Sequence, residues 1–171
     1  MFSCLSLLSF ARPAKGESKP VPINGMIEDV LTLMMYEMRS ENITVKKDLQ
    51  LSLPEVSGDR QLLEQVVVDI LMNARWAIQS KKEPGTITIE TRYEKGRDAG
   101  CISISDTGVG MPQENIDRIF EPFFTTKPAG QGTGLGLSVV YNVIKEHKGT
   151  IEAKSEVNKG TTFKITLPCS H

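Results

Sequence analysis

Residues 106–111 read DTGVGM, residues 119–127 read IFEPFFTTK and residues 132–138 read GTGLGLS. Two glycine-rich turns bracket a loop of proline and aromatic residues, and a helical pattern starts directly after the second turn. Ile102 and Ile104 alternate into the first turn, as in a strand with one buried face. Period two sets Asp106 on the face of those isoleucines, so its carboxylate leaves the strand toward the core side. Such a carboxylate can accept a hydrogen bond from a buried amine, and Gly108 and Gly110 let backbone come close to a ligand. Taken alone, the six residues read equally well as a surface turn.

The second turn, at a helix start, presents backbone amides to an anion, and its glycines let the chain wrap that anion. The plainer reading is a flexible loop entering a helix. The run is neither G-x-G-x-x-G in a βαβ unit nor the P-loop G-x-x-x-x-G-K-[ST]. Between the turns, Phe120 reads as core. Phe123 and Phe124, beside Pro122, read as a hinge and a partner-contact patch. Lys127 has two readings: a cation reaching a terminal phosphate, and a solvated lysine.

Upstream lies the strongest helical pattern, over 59–80. Asp59 is its cap, and Leu62, Leu63, Val66, Val67, Ile70, Leu71, Ala74 and Ile78 form a wide apolar stripe. Asp69 and Asn73, four apart, share a face beside that stripe. A carboxylate and an amide oxygen one turn apart suit Mg2+, a hard cation that binds phosphates at the same time. Two solvated polar groups on a helix surface are the competing reading.

The remaining chain supplies the frame. Residues 11–22 read as a linker, and Asn24 as the N-cap of a helix over 25–40 with Ile27, Val30, Leu31, Met34 and Met38 buried. Residues 44–51 read as a strand and 53–58 as a connection. Residues 86–93 and 101–106 make a hairpin, Pro112 starts a short helix over 112–120, and 135–146 is a helix burying Leu137, Val140, Val143 and Ile144. Residues 150–155 and 161–167 form a closing hairpin around Asn158, Lys159 and Gly160. About five strands, mostly in hairpins, with three main helices imply an α/β (α+β) two-layer sandwich. Its sheet is mixed and largely antiparallel, with the helices on one face.

The 171 residues suffice for one well-packed domain. A net charge of −1 without a basic run argues against a phosphate-backbone surface, so no nucleic-acid partner is expected. Cys4, Cys101 and Cys169 are odd in number and far apart, which fits a reducing compartment. The apolar start MFSCLSLLSF lacks a preceding basic region and is too short to span a bilayer. It reads as the end of a helix cut from something longer, with no direct membrane contact.

In order, these motifs resemble the ATP-binding catalytic domain of sensor histidine kinases, within the gyrase/histidine-kinase-like ATPase superfamily and its Bergerat-type fold. EQVVVDILMNA (64–74) is similar to the N box, DTGVGM to the first glycine box, IFEPFF (119–124) to the F box and GTGLGLS to the second glycine box. LLSFARP (7–13) is similar to the end of the dimerisation helix that precedes such domains. The resemblance covers about 20–168. It divides the chain into a dimerisation-helix end and linker (1–22), a catalytic domain (23–168) and a tail (169–171).

The resemblance implies ATP and Mg2+ as cofactors. Asn73 would ligate Mg2+, and Asp106 would bind the adenine amine in a pocket shaped by Gly108, Gly110 and Met111. Gly132, Thr133, Gly134, Leu135, Gly136 and Leu137 would hold the phosphates, with the preceding loop, including Thr126 and Lys127, as a lid. Asp69, Asn73 and Lys127 would act in catalysis, Asp69 as a metal ligand or as a base orienting water. The implied activity is γ-phosphoryl transfer to a histidine on a separate dimerisation domain, with a response regulator as an indirect partner. The expected place is the cytoplasm, in a parent that is either free or membrane-anchored. A self-contained ATPase or serine kinase, and a nucleotide-binding module without catalysis, are the alternatives. Three features depart from the pattern: Asp69 stands where an asparagine is common, Trp76 stands where many members are basic, and no acceptor histidine is present. His147 follows a helix and reads as its C-terminal cap, and His171 lies in the tail.

Overall fold

The computed structural model describes residues 18–128 and 130–171. The expected dimerisation-helix end and most of the expected linker lie outside them. Among the described residues, seven strands and four helices follow in the order β1 (Lys19–Val21), α1 (Ile23–Ser40), β2 (Ile43–Leu49), β3 (Val56–Gly58), α2 (Arg60–Lys81), β4 (Gly85–Glu94), β5 (Ala99–Asp106), α3 (Gln113–Ile116), α4 (Gly136–Glu146), β6 (Thr150–Glu156) and β7 (Gly160–Pro168).

The main sheet runs β2-β4-β5-β7-β6, with β2 parallel to β4 and every other pairing antiparallel. Register stacks the apolar alternation of each strand on one face. Ile89 lies opposite Ile104, which lies opposite Phe163, and Ile102 opposes Ile165. All of these are buried, together with Ile87, Leu167 and Ile151. The other face carries Thr88, Glu90, Arg92, Ser103, Lys164 and Glu152, and there Lys164 pairs with Glu94 at 2.6 Å. The apolar face is covered by α1, α2 and α4, whose buried residues join the strands in one core. Each fully buried aliphatic side chain contributes roughly 1.5–3 kcal/mol. This is the expected two-layer sandwich.

The structure departs from the sequence reading at several element ends. Residues 19–21 and 56–58, read as linker and connection, pair antiparallel as β1 and β3. Each strand has three residues, too few to show an alternation. Asn24 is not the N-cap of α1, which starts at Ile23 behind Pro22. Its side chain instead donates to the Gln50 carbonyl (2.9 Å) and accepts from the Thr91 hydroxyl (2.8 Å), and these tertiary bonds outcompete a local cap. The short helix after Pro112 closes within four residues and continues as turns. In α4, Leu137 is half-buried and Ser138 takes the buried place, its hydroxyl donating to the Leu135 carbonyl at 2.8 Å. Residues 169–171, read as a tail, are tied down: Cys169 donates its amide to Asp98 and Ser170 to Glu55. Among the described residues no helix is long and apolar enough to cross a membrane.

Candidate nucleotide site

The geometry of the site starts at the N-cap of α2. Asp59 accepts from the amides of Gln61 (2.9 Å) and Leu62 (3.2 Å), as its sequence position implied. The stripe from Leu63 to Ile78 is buried, so the neighbouring rows of the helix lie at the core's edge, with Asp69, Asn73 and Trp76 half-buried there. Gln65 donates to Asp69 Oδ1 at 2.7 Å. Burial pushes the Asp69 carboxyl up to about 6, while the Gln65 bond and the Lys127 charge pull the other way. Lys127, far away in sequence, donates from Nζ to Asn73 Oδ1 at 3.0 Å and lies 5.1 Å above the Trp76 ring. Burial draws its ammonium below the usual lysine range, and Asp69 draws it back. Lys127 is thus half-buried, with its ammonium engaged by Asn73 and Trp76. Arg75, next to Asn73, turns to α1 instead and pairs with Glu37 and Glu41.

Asp106 is buried, as period two required. Its Oδ1 accepts from the Gly108 amide at 2.8 Å and the Thr161 amide at 3.4 Å. Burial pushes its carboxyl up to about 6, with the two amides pulling down. Every hydrogen bond it makes among the described residues uses Oδ1, which leaves Oδ2 as a free acceptor on an immobilised carboxylate. The turn beyond it is clamped between α2 and the β6–β7 hairpin. A Cβ on Gly108 would lie 2.5 Å from the Ala77 carbonyl carbon, and one on Gly110 (φ +63) would lie 2.0 Å from the Glu156 oxygen. Val109 donates to the Ala77 carbonyl and accepts from Asn158, and the Met111 amide donates to Ser155 Oγ. The close approaches that need these glycines are thus to protein backbone.

The segment expected as a lid meets the second turn at Phe123 and Gly134, whose backbones are hydrogen-bonded. Phe123 is exposed. Phe124, expected beside it in a partner patch, instead packs against the core, with the Arg118 guanidinium 4.6 Å over its ring. Phe120 is half-buried against Tyr141. α4 begins without a side-chain cap and without an acidic residue in its first turn, so its leading amides are open to an anion. Thr133 accepts from the Leu135 amide at 3.3 Å, and Gly136 has open space around it. Thr126 is exposed, and among the described residues no hydrogen bond ties it to these groups. Residues 69, 73 and 127 are therefore brought together, and 106, 108, 110 and 111 form a second cluster.

Sequence reasoning did not place Gly160 and Thr161 beside Asp106, and it named Trp76 only as a departure from the family pattern, not as a contact of Lys127. Gly160 showed only as a turn glycine, and its place behind Asp106 follows from the β5–β7 register. His147 is the cap expected, with Nδ1 on the Val143 carbonyl, and it also bridges to α2 by accepting the Asp59 amide on Nε2. A cavity of about 570 Å³ opens beside it, lined by Ser57, Asp59, Leu62, His147 and Cys169. That cavity sits at the far end of α2 from Ala77, about 25 Å along the axis, and contains none of the clustered residues.

The donors fit the implied groups. Asp69 and Asn73 offer hard oxygens at the core's edge, as Mg2+ requires, and Asp106 offers an acceptor for an amine. Residues 58–171 match the family described as histidine kinase-, DNA gyrase B-, and HSP90-like ATPase. The chain is 39% identical over 175 residues to the sensor kinase CckA of Brucella abortus, covering 95% of this chain and 18% of that protein. It spans about a fifth to a third of the length of the curated relatives it matches. The catalytic domain of histidine kinase ThkA superposes with a TM-score of 0.78 at 30% identity, over 91% of this chain and 100% of that one. Full-length ShkA in complex with AMPPNP superposes at 0.83 and 25% identity, over 96% and 35%.

Proposed function

The chain belongs to the histidine kinase-, DNA gyrase B- and HSP90-like ATPase family, and from that premise we propose that it binds Mg-ATP and serves as the kinase domain of a larger sensor protein. The observation that carries this reading is Asp106, a buried carboxylate with Oδ1 pinned by two amides and Oδ2 free. Oδ2 accepts the adenine amine. Gly108, Gly110 and Met111 shape the base pocket around it. Gly132, Thr133, Gly134, Leu135, Gly136 and Leu137 take the phosphates, chiefly through the open amides at the start of α4, since the Leu135 amide is held by Thr133, and Thr126 and Lys127 close over them. Asn73 and Asp69 would hold Mg2+ through their side-chain oxygens, and the ion would supply positive charge to offset that of the phosphates.

Phosphoryl transfer depends mainly on positioning and charge neutralisation. The bond from the γ-phosphorus to the ADP oxygen breaks, and a bond to an imidazole nitrogen forms. That imidazole comes from a dimerisation domain, because His147 has both nitrogens engaged and His171 pairs with Asp98 at the surface. A response regulator takes the group onward. The buried free thiols of Cys101 and Cys169 support a cytoplasmic place, where ATP is available.

Titration with AMPPNP by calorimetry, with and without Mg2+, tests the reading. Saturable binding that Mg2+ tightens is expected, and no binding in either condition overturns it. A self-contained ATPase is the second reading, favoured by the half-buried Asp69 carboxyl, which could orient water. Steady ADP release from the isolated chain would select that reading, and transfer to an added dimerisation domain the first.

A further inference from the structure

We infer that Trp76 is the seat of the lid's cation: its indole face holds the Lys127 ammonium over the phosphate site, so that the Asn73 oxygen can pass between Lys127 and the metal. The inference rests on the Mg-ATP reading above.

Lys127 is guided along its length. Its amide donates to Thr125 Oγ1 at 3.1 Å. Gly132 lies against its stem, where a Cβ would stand 3.1 Å from both Cβ and Cδ of the lysine. The ammonium ends between Asn73 Oδ1 and the Trp76 ring. Asn73 and Trp76 are three apart on α2, so they present one edge of the helix to the loop. The other nearby cations are committed elsewhere: Arg75 to Glu37 and Glu41, and Lys81 to the carbonyls of Thr107 and Asn158.

The two contacts on the ammonium differ in what they exclude. A metal on Asn73 Oδ1 repels Lys127 from that oxygen. The indole face is no ligand for Mg2+, so the contact with Trp76 survives metal binding. Lys127 thereby stays near the phosphates in both states instead of swinging into solvent with the loop. A cation–π contact of this kind is worth about two- to thirty-fold in an equilibrium constant.

Trp76 is the chain's one tryptophan, so intrinsic fluorescence reads this contact directly. The experiment compares wild type, Trp76→Phe, Trp76→Leu, Lys127→Met and the Trp76→Leu/Lys127→Met double variant. Each is titrated calorimetrically with Mg-AMPPNP and Mg-ADP. Lys127→Met is expected to shift Trp76 emission without nucleotide, and to reduce the preference for AMPPNP over ADP. Trp76→Leu should reduce that preference two- to thirty-fold, Trp76→Phe should retain most of it, and the double variant should lose no more than Lys127→Met alone. Wild-type preference in Trp76→Leu, or strictly additive losses in the double variant, overturns the inference and leaves Mg-ATP binding standing. If wild type binds no nucleotide, the functional reading fails and the seat falls with it, whatever the emission of Lys127→Met shows.

Discussion

Phe123 and Gly134 are locked back to back: the Phe123 amide donates to the Gly134 carbonyl at 2.8 Å, and both residues sit at φ +67. A Cβ on Gly134 would stand 2.4 Å from the Phe123 carbonyl carbon. The segment carrying Phe123 and the second glycine turn are therefore joined, which ties the exposed Phe123 ring to the amides proposed to take the phosphates. Gly134→Ala forces them apart and adds about 1–2 kcal/mol of left-handed strain. AMPPNP affinity is expected to fall at least about tenfold. The melting temperature should move by no more than about 4 °C, because strain in a loop relaxes locally. A larger loss of melting temperature, with affinity retained, would make Gly134 part of the core instead.

Asp106→Asn separates binding from stability. The asparagine keeps an oxygen for the Gly108 and Thr161 amides but removes the charged acceptor, and AMPPNP affinity should drop more than about tenfold. Burial raises the carboxyl from the ordinary 3.8 to about 6, so the folded chain holds this proton more tightly than the unfolded one. Stability then falls as pH rises from about 4 to about 6 and stays lowered above that. At pH 7 the cost is up to about 3 kcal/mol. The variant should melt above wild type at pH 7 and with it near pH 4. Equal melting at both pH values contradicts the burial argument, and unchanged affinity removes Asp106 from the base pocket.

The proposed Mg2+ site predicts that Asn73 and Asp69 divide the metal dependence. Asn73→Ala removes the amide oxygen that Lys127 now engages, and AMPPNP affinity should become insensitive to Mg2+ in calorimetry. Asp69→Asn keeps an oxygen at that position and should weaken the Mg2+ effect without abolishing it. The reverse pattern makes Asp69 the principal ligand.

How much of this was legible in the chain depends on the range of the contact that decides each feature. The α2 stripe (apart from Leu62, which is half-buried at its start), the Asp59 cap, both hairpins and the inward face of Asp106 follow from neighbours within a few residues, and the structure has them as read. Asn24 was misread because a local rule met two tertiary partners, Gln50 and Thr91. β1 and β3 pair across 35 or more residues and carry no pattern of their own. The site divides the same way. Asp69 and Asn73 lie a turn apart on one helix, whereas the contact of Lys127 with Trp76 and the approach of Gly160 to Asp106 exist only after distant segments are assembled.

Gly160 shows what such a long-range support is worth. It sits at φ +117, where a Cβ would fall 1.8 Å from the Asp106 oxygen and 3.0 Å from the Thr107 Cα. The next amide, Thr161, donates to Asp106 Oδ1. Gly160→Ala must therefore either distort the backbone of Asp106 or lift the β6–β7 turn away. Strain at such a φ costs about 1–3 kcal/mol before the clash is counted, so a total near 3 kcal/mol or more is expected. In a domain of this size that lowers the melting temperature by roughly 6–12 °C. A folded Gly160→Ala chain should also lose AMPPNP affinity, because the carboxylate loses one of the amides that aims it. A shift under about 2 °C with full affinity would mean that the turn swings freely, and that the Gly108 amide alone fixes Asp106.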